Sequence, residues 1–267
     1  MAARVLHVSD LHVGRRETPE TLAALRELAA RIEPDLVLAT GDLSHRGRRD
    51  QLEQASAQLR GLGVDSVLAV PGNHDIPYTF PARFTRTYAE WQQVFGTIEP
   101  VYSSDRLHVV GACSVRPWRQ QSGALSEERL GRIETALRGA PAGALRVVAL
   151  HHHLAAPPWR AARKRPLQDR DRVLERLAAA GAELVAAGHV HQGAVAERRE
   201  FEALEDGRTR PVVLATVPGL GRPRPRRRGE ARGVNVYEAA AASLTVATFA
   251  WDGADFAETG RRVFPRG

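Results

Sequence analysis

Five short apolar runs constrain the fold of this 267-residue chain more than any other feature of its sequence. They cover residues 4–8, 35–39, 66–70, 146–150 and 183–187, and a sixth run of the same kind covers residues 107–112. Each run is shorter than a typical helix and too uniformly apolar to be a strand with one side in water. We therefore predict buried strands in a sheet that is covered on both faces.

Helical patterns lie between these runs. Thr18 and Pro19 supply an N-cap and a favourable first helical residue, and leucines follow at helical spacing. A second pattern covers residues 50–62, a third begins after Ser126, and a fourth begins after Asp169, which is expected to cap it. Alternation of strands and helices along the chain indicates βαβ units, so the predicted fold class is α/β.

The last third of the chain changes to strands without helices between them. The strand-like segments are residues 193–201, 211–215, 233–239 and 243–251, and the last two are expected to pair as a hairpin. We predict that residues 193–251 are mainly strands of a second sheet. The chain offers no segment with the composition of a linker, and residues 1–267 are therefore predicted to form a single domain.

A helical insertion is predicted at residues 76–100, a segment that is rich in aromatic side chains. Phe84, Tyr88, Trp91 and Phe95 recur there at near-helical spacing. This spacing favours a helix that packs on the body of the protein over an aromatic platform that stacks nucleic-acid bases.

The charge balance is basic, with 38 lysine and arginine residues against 31 acidic ones and a net charge of +7. Lys164 is the only lysine, so this charge is carried by arginine. A generally basic surface is the preferred interpretation, and a dedicated nucleic-acid-binding face is the alternative. The arginine-rich segment 222–232 is predicted to be a solvated turn, with a phosphate-facing edge as the alternative.

A cytoplasmic setting is predicted from cysteine usage and from the first residues of the sequence. The single cysteine, Cys113, cannot form an internal disulfide, which favours a reducing compartment. The sequence begins without the basic region, long apolar stretch and cleavage site of a secretory signal. No apolar run approaches the roughly 18 residues that a membrane-spanning helix needs.

Polar residues that bind metals or transfer protons follow each of the five runs. These residues are Asp10 and His12, Asp42, the Asn73-His74-Asp75 segment, the triplet His151-His152-His153, and His189 with His191. The carboxyl ends of strands in an open α/β sheet form its binding crevice, so these side chains are expected to meet. Oxygen and nitrogen donors without thiolate suit Mn, Fe, Zn or Co. The donors are too many for one tetrahedral ion, which favours two ions that share a carboxylate.

Taken as a set, the motifs resemble those of the calcineurin-like metallophosphoesterase superfamily. The matching blocks are Asp10-x-His12, Gly41-Asp42, Gly72-Asn73-His74-Asp75, His151 and Gly188-His189-x-His191. The resemblance implies a four-layer α/β/β/α sandwich with two mixed β-sheets and a dinuclear metal site at the C-terminal ends of the strands. It also implies that one ion binds to Asp10, His12, Asp42 and His191. The second ion would bind to Asp42, Asn73, His151 and His189, with Asp42 as the bridge.

The resemblance assigns roles to neighbouring residues as well. His74 is not a ligand in the family, and it is expected to act on the developing charge or to protonate the leaving oxygen. Asp75, the next residue, is expected to orient His74, with a turn-capping aspartate as the alternative. His45, which follows the Gly41-Asp42 block, is a candidate for contact with substrate.

The three consecutive histidines are not equivalent in a strand, because successive side chains point to opposite faces. His151 and His153 would then share one side, and His152 would face away. His151 ends the apolar run and is the predicted ligand of the second ion. His153 is the alternative ligand or a substrate-binding residue, and His152 is expected to be structural.

Within the superfamily, the segments Ser9-Asp10-Leu11-His12 and Gly188-His189-Val190-His191 resemble those of class III cyclic-nucleotide phosphodiesterases. That group commonly has two histidines followed by proline, whereas Leu154 follows the last histidine here. The implied activity is hydrolysis of a 3′,5′-cyclic nucleotide or another small phosphodiester, by in-line attack of a metal-bridging hydroxide. A phosphomonoesterase, a DNA or RNA nuclease and a non-enzymatic scaffold are the alternatives, and a membrane partner is not expected.

Overall fold

A computed structural model of the chain describes residues 2–15, 19–119, 121–155, 164–200, 211–221 and 230–266. The strands in these residues are β1 (Ala3–Val8), β2 (Leu36–Ala39), β3 (Val67–Ala69), β4 (Val101–Ser103), β5 (Leu107–Ala112), β6 (Leu145–Leu150), β7 (Leu184–Ala187), β8 (Ala194–Glu197), β9 (Val213–Thr216), β10 (Gly233–Ala239), β11 (Ser243–Trp251) and β12 (Phe256–Pro265). The helices are α1 (Pro19–Ile32), α2 (Arg49–Arg60), α3 (Ala82–Thr85), α4 (Ala89–Phe95), α5 (Glu127–Arg138) and α6 (Arg170–Ala179).

The strands form two mixed sheets of six strands each, in the orders β12-β11-β10-β1-β2-β3 and β4-β5-β6-β7-β9-β8. In the first sheet β1, β2 and β3 run parallel, and β10, β11 and β12 add to the free side of β1 in antiparallel pairs. In the second sheet β5, β6, β7 and β9 run parallel, while β4 and β8 are antiparallel edges. Six of these seven parallel strands are the ones that the apolar runs predicted, and the seventh, β9, corresponds to the strand-like segment 211–215.

Alternation of side chains along the strands creates four layers. In β1, Leu6 and Val8 pack against α1 and α2, whereas Val5 faces the second sheet. In β6, Val148 packs against α5 and α6, whereas Val147 faces the first sheet. Each sheet is therefore covered by helices on one side and by the other sheet on its second side. This arrangement confirms the predicted α/β/β/α sandwich with two mixed sheets.

The strands of residues 193–251 are divided between the sheets, so the expectation that they mainly form a second sheet was wrong. β8 and β9 extend the second sheet beside β7, but β10 and β11 extend the first sheet beside β1. The physical reason is that β2 pairs with only one side of β1, and its other side is completed by β10. β8 is also shorter than expected, because a 3-10 turn at Arg198–Glu200 follows it.

Two strands and one cap were not anticipated correctly. β12 exposes most of its residues and buries only Phe256 and Phe264 at its two ends, so it lacks the apolar signal of the other strands. β4 has only three residues. Ser126 accepts a hydrogen bond from the Arg129 N–H as expected, but Asp169 makes no side-chain cap, because its backbone is left-handed (φ 52°).

The predicted helical insertion contains the short helices α3 and α4. Trp91 is fully buried and stacks on Phe95 with ring centroids 4.4 Å apart, as a helix packed on the body requires. Phe84 does not follow this pattern, since half of its surface is exposed. Thr18 and residues 222–229 of the arginine-rich segment lie outside the described residues, so their predicted roles stay predictions.

A buried histidine connects the first sheet to the strand ends. His7 of β1 is fully buried and hydrogen-bonds to the Tyr237 hydroxyl (2.6 Å) and the Thr40 hydroxyl (2.8 Å). Burial lowers the pKa of His7 to about 3, because the charged imidazolium would lose its hydration. The folded protein therefore keeps His7 neutral through most of the acidic range.

The burial of His7 predicts part of the decrease in the free energy of unfolding at acidic pH. Between pH 6.5 and 3 the unfolded chain binds a proton at His7 that the folded chain does not bind, so the free energy of unfolding falls as the pH is lowered. On going from pH 7.5 to pH 5, the wild type should lose about 2 kcal/mol more stability than His7→Gln, at about 1.4 kcal/mol per pH unit. Urea unfolding at both pH values measures this difference. Tyr237→Phe keeps the imidazole and should retain the wild-type slope; equal slopes for wild type and His7→Gln would contradict the prediction.

Candidate metal centre

The carboxyl ends of β1, β2, β3, β6 and β7 bring the predicted metal ligands to one edge of the sandwich. Three groups of described residues have potential ligand atoms that all lie within 4.8 Å of one another, and His12, His45 and His74 form the one without a carboxylate. The other two are the first ligand group, Asp10, His12 and His191, and the second ligand group, Asp42, His151 and His189. Each of these two ligand groups combines residues from both sheets, because β1 and β2 belong to the first sheet and β6 and β7 to the second.

Asp42 lies between the two groups. One of its carboxylate oxygens, Oδ1, is 3.4 Å from Nε2 of His151, and the other, Oδ2, is 3.9 Å from Nε2 of His12. Asn73 joins the second group, since its Oδ1 is 3.2 Å from Nε2 of His151. The seven residues predicted as ligands are thus brought together, with Asp42 in the position expected of a bridge. Their role in binding metal stays a prediction.

The charge states of Asp42, His12 and His189 favour cation binding. Burial would raise the pKa of Asp42, but the nearby imidazoles of His151 and His74 outweigh it and hold this pKa well below its usual range. Burial lowers the pKa of His12 to about 3 and that of His189 well below its usual value. The carboxylate is therefore ionised and these two imidazoles are neutral, which are the forms that bind metal ions.

The donor set fits a pair of divalent or trivalent ions. Asp42 Oδ2 is buried and accepts no hydrogen bond from the described residues, an arrangement that is costly for a carboxylate unless a cation compensates it. Imidazole nitrogens converge in pairs, with Nε2 of His12 3.3 Å from Nε2 of His191, and Nδ1 of His189 3.1 Å from Nε2 of His151. Carboxylate, amide and imidazole ligands without thiolate are suited to Mn, Fe, Zn or Co.

Backbone conformation is strained at the same positions. Seven non-glycine residues of the described chain have a positive φ, and five of them are predicted ligands. These are Asp10 (54°), His12 (51°), Asp42 (52°), His189 (70°) and His191 (56°). Left-handed conformations are uncommon for residues other than glycine, although asparagine, aspartate and histidine adopt them more often than most, and they persist where surrounding structure enforces them. These backbone conformations cost some conformational energy, and they direct the five side chains toward one place.

Two glycines allow the strand ends to approach closely enough. A Cβ atom on Gly72 would overlap the backbone nitrogen and Oδ1 of Asp42. A Cβ atom on Gly188 would overlap the Ser9 hydroxyl and lie 2.8 Å from Oδ2 of Asp10. The glycines of the Gly-Asn-His-Asp and Gly-His-Val-His segments are therefore required by contact with the two carboxylates.

His74 is held beside the ligand groups in a defined orientation. Its backbone N–H donates to Oδ1 of Asp42 (2.8 Å), and its ring lies perpendicular to that of His12 at 4.8 Å between centroids. Nδ1 is 2.9 Å from the carbonyl oxygen of His45, which can only accept a hydrogen bond, so Nδ1 carries the proton. The Tyr78 hydroxyl lies 2.9 Å from the same nitrogen. Nε2 is consequently the atom that can gain or lose a proton during a reaction.

Asp75 does not orient His74, contrary to the expectation from the sequence. Its buried carboxylate accepts hydrogen bonds from the backbone N–H groups of Leu43 (3.2 Å), Ser44 (2.7 Å) and Gly72 (2.8 Å). The carboxylate therefore ties the segment after β2 to the segment after β3. The imidazole of His74 projects the other way, toward the His45 carbonyl. Burial and the charge of Asp42 raise the pKa of Asp75 to about 6.

The triplet of histidines separates into three environments. His151 belongs to the second ligand group, and its Nδ1 is 2.7 Å from the Thr40 carbonyl oxygen. His152 is buried behind the site with Nδ1 2.9 Å from the Ser114 hydroxyl, as expected for a structural residue. His153 is fully buried, and its ring centroid is 6.3 Å from that of His189. His45, the other predicted substrate contact, is only partly buried and stacks on His74 at 5.6 Å.

Two residues near the site were not anticipated from the sequence. Lys164 is buried, and its Nζ is 3.5 Å from Nδ1 of His189. Its status as the only lysine was visible in the sequence, but no motif connected it with the histidines. Tyr78 was assigned to the aromatic insertion, whereas its hydroxyl contacts His74. The spacing of four residues between Tyr78 and His74 was the available signal.

Comparison with known proteins agrees with these observations. Residues 3–193 match the model of the calcineurin-like phosphoesterase family. A probable cyclic nucleotide phosphodiesterase of Rhodococcus erythropolis is 28% identical over 204 residues, which are 72% of this chain and 66% of the relative. Another protein of that name, from Moraxella catarrhalis, is 33% identical over 78 residues, or 28% of each chain. The chain thus spans less than two thirds of the length of these relatives.

Solved structures show the same fold at low sequence identity. The purple acid phosphatase PPD1 of yellow lupin superposes with a TM-score of 0.72 at 15% identity, covering 100% of this chain and 54% of that chain. A structure of PhoD superposes with a TM-score of 0.66 at 10% identity, covering 99% of this chain and 70% of that chain.

None of the helices in the described residues has the length and apolar character needed to cross a membrane.

The contact of Gly188 with Asp10 predicts the effect of a single methyl group. In Gly188→Ala the new Cβ would push Ser9 and Asp10 out of place, so the affinity for Mn²⁺ should fall by about 10- to 100-fold, as for other changes behind metal ligands. Isothermal titration with Mn²⁺ measures this loss, and circular dichroism checks folding. Gly131→Ala is the control, because a Cβ there meets nothing within 4 Å. Equal Mn²⁺ affinities of the two variants would contradict the proposed role of Gly188.

Proposed function

The chain belongs to the calcineurin-like phosphoesterase family, and on that premise we propose that it is a metal-dependent hydrolase of phosphodiesters. The observation that carries the proposal is the meeting of two candidate ligand groups at Asp42, which lies between them. A 3′,5′-cyclic nucleotide is the first candidate substrate, because two relatives are named probable cyclic nucleotide phosphodiesterases.

In this proposal Asp10, His12, Asp42 and His191 hold one ion, and Asp42, Asn73, His151 and His189 hold the second. Bound ions would supply an activated water as the nucleophile and would neutralise charge on the phosphoryl oxygens. The identity of the metals follows from availability as well as from ligands, and Mn, Fe, Zn and Co are all candidates.

The chain itself supplies the proton for the leaving group. His74 adjoins the first ligand group, and the His45 carbonyl fixes its proton on Nδ1. When Nε2 is also protonated, this nitrogen can donate to the oxygen that leaves phosphorus. His74 is therefore proposed as the general acid, with His45 as its positioning partner and as a substrate contact.

Asp75 contributes to this mechanism as a positioning residue. Its carboxylate fixes the backbone at Leu43, Ser44 and Gly72, and Gly72 packs directly against Asp42. His153 is proposed to support His189 from the buried side, since the two rings lie nearly parallel. Neither residue is assigned a proton transfer.

The proposed activity is tested by a panel of substrates with metal-reconstituted protein. We expect Mn²⁺-dependent hydrolysis of bis(p-nitrophenyl) phosphate and cyclic AMP, with slower hydrolysis of p-nitrophenyl phosphate, and full loss on chelation. Asp42→Asn should lower kcat/KM by more than about 100-fold and should reduce the number of ions bound. Preference for the monoester would favour a phosphomonoesterase. Activity on single-stranded DNA that falls steeply with salt would favour a nuclease. Hydrolysis and metal content unchanged in Asp42→Asn would refute the proposal.

The role of His74 predicts a dependence on the leaving group. A poor leaving group such as a nucleoside alcohol needs a proton, whereas p-nitrophenolate does not. His74→Ala should therefore lower kcat/KM by about 10²- to 10⁴-fold for thymidylyl-thymidine and far less for thymidine 5′-(p-nitrophenyl phosphate). Tyr78→Phe, which leaves the His45 carbonyl in place, should show a smaller loss on both. Equal losses for the two substrates in His74→Ala would mean that His74 does not act as the acid.

A further inference from the structure

A second polar cleft adjoins the candidate metal centre. It has a volume of about 430 Å³, which is in the range of small-molecule sites. Arg46 and Arg48 line it from the loop between β2 and α2, and Arg86 lines it from the segment after α3. Tyr78 lines its wall as well. We call this feature, defined by Arg46, Arg48, Arg86 and Tyr78, the arginine cleft.

The guanidinium groups of these three arginines are available to bind an anion. All three side chains are exposed, and no ion pair or hydrogen bond joins any of their guanidinium groups to another described residue. Arg49, which also lines the cleft, differs, because its guanidinium bonds Glu53 (2.8 Å) and Gln93 (2.7 Å). Guanidinium groups that line one cleft without a bonded carboxylate are suited to bind an anion.

The acidic residues at the cleft do not cancel this charge. Asp50 and Glu90 are among the lining residues, and the pKa of Arg49 is raised mainly by its hydrogen bond to Glu53, with a smaller contribution from Glu90. With Arg49 counted, four positive side chains face two negative ones, which leaves a net positive lining. The cleft therefore attracts anions.

The cleft adjoins the candidate active site through Tyr78. The Tyr78 hydroxyl, on its wall, lies 2.9 Å from Nδ1 of His74. Arg46 follows His45 directly, and the charges of Arg46 and Arg15 contribute to lowering the pKa of His45, after burial and His74. A substrate held at the ligand groups with its leaving oxygen at His74 would extend its next portion toward these arginines.

From this arrangement we propose that the arginine cleft binds a second phosphate group of the substrate. The inference rests on the proposed phosphodiesterase function and narrows it to phosphodiesters that carry another phosphate, such as a linear dinucleotide with a terminal phosphate. Arginine suits this role because its planar guanidinium donates two parallel hydrogen bonds to phosphate oxygens. A cleft of about 430 Å³ accommodates a nucleotide-sized group rather than a duplex.

A matched pair of substrates isolates the second phosphate. Thymidylyl-(3′→5′)-thymidine and its derivative with a phosphate on the 3′-oxygen of the 5′-linked thymidine have the same scissile diester. They differ only in the added phosphate, which lies on the leaving-group side that faces His74. We expect the metal-loaded wild type to favour the phosphorylated compound by about fivefold or more in kcat/KM, since charge-assisted hydrogen bonds are among the stronger ones. This ratio should decrease as NaCl is added, because exposed charges are screened.

Substitution of the arginines should remove the preference. Arg48→Ala and Arg86→Ala should each lower the ratio of the two kcat/KM values, and the double variant should bring it to about one. Arg138→Ala is the matched control: Arg138 is an exposed arginine on α5, on the far side of the second sheet, and its variant should keep the wild-type ratio. A wild-type ratio of one, or a ratio that survives in the double variant, would overturn the inference.

A binding measurement separates this inference from the proposed function. Calorimetry compares thymidine 3′,5′-bisphosphate with thymidine 5′-monophosphate on the metal-loaded wild type and on the double variant. If neither dinucleotide is hydrolysed but the bisphosphate binds more tightly through Arg48 and Arg86, the cleft inference is supported and the proposed phosphodiesterase function is refuted. If both substrates are hydrolysed equally and both nucleotides bind equally, the function stands and the cleft inference fails.

Discussion

Burial of two carboxylates at the ends of parallel strands is the constraint on which the rest of this structure depends. Asp10 and Asp42 expose 0% and 1% of their surface, and an ionised carboxylate in such surroundings is costly unless positive charge or hydrogen bonds compensate it. The chain meets this cost in three ways. Backbone N–H groups of His74 and His189 donate to the carboxylates, imidazoles converge on them, and the remaining oxygen of Asp42 is left for a cation.

The two-sheet architecture follows from that requirement. β1 and β2 end in the carboxylates, but the histidines that complete each ligand group come after β6 and β7, in the other sheet. Neither sheet contains a full group, so the sheets must face one another with their strand ends at the same edge. The apolar core between Val5 and Val147 fixes this alignment, and Gly188 allows the segment after β7 to touch Asp10. The packing of the two sheets therefore also determines the geometry of the candidate metal site.

Much of the arrangement could be predicted from the sequence, for a physical reason. Buried strands are mostly apolar, so each apolar run stops where the strand reaches the edge, and the polar residues that follow it mark the site. β12 was not predicted, because most of its residues are exposed and its segment contains no apolar run. The contacts of Asp75 and Tyr78 could not be foreseen either, because they depend on the directions of side chains in loops rather than on spacing. The metal-binding roles of the seven candidate ligands are still predictions.

Exposure differs between the two sides of the centre, and this asymmetry bears on how a substrate approaches. His151, His153 and His189 are fully buried, with Lys164 beside them, whereas His45 and His74 are only partly covered. A phosphate ester that enters from the exposed side meets His74 first and the ligand groups behind it. In the proposed mechanism the leaving oxygen lies next to Nε2 of His74, because the His45 carbonyl holds the proton of Nδ1. The proposed acid and the proposed entrance for substrate would therefore share one side of the molecule, the side on which Arg46 and Arg48 also lie.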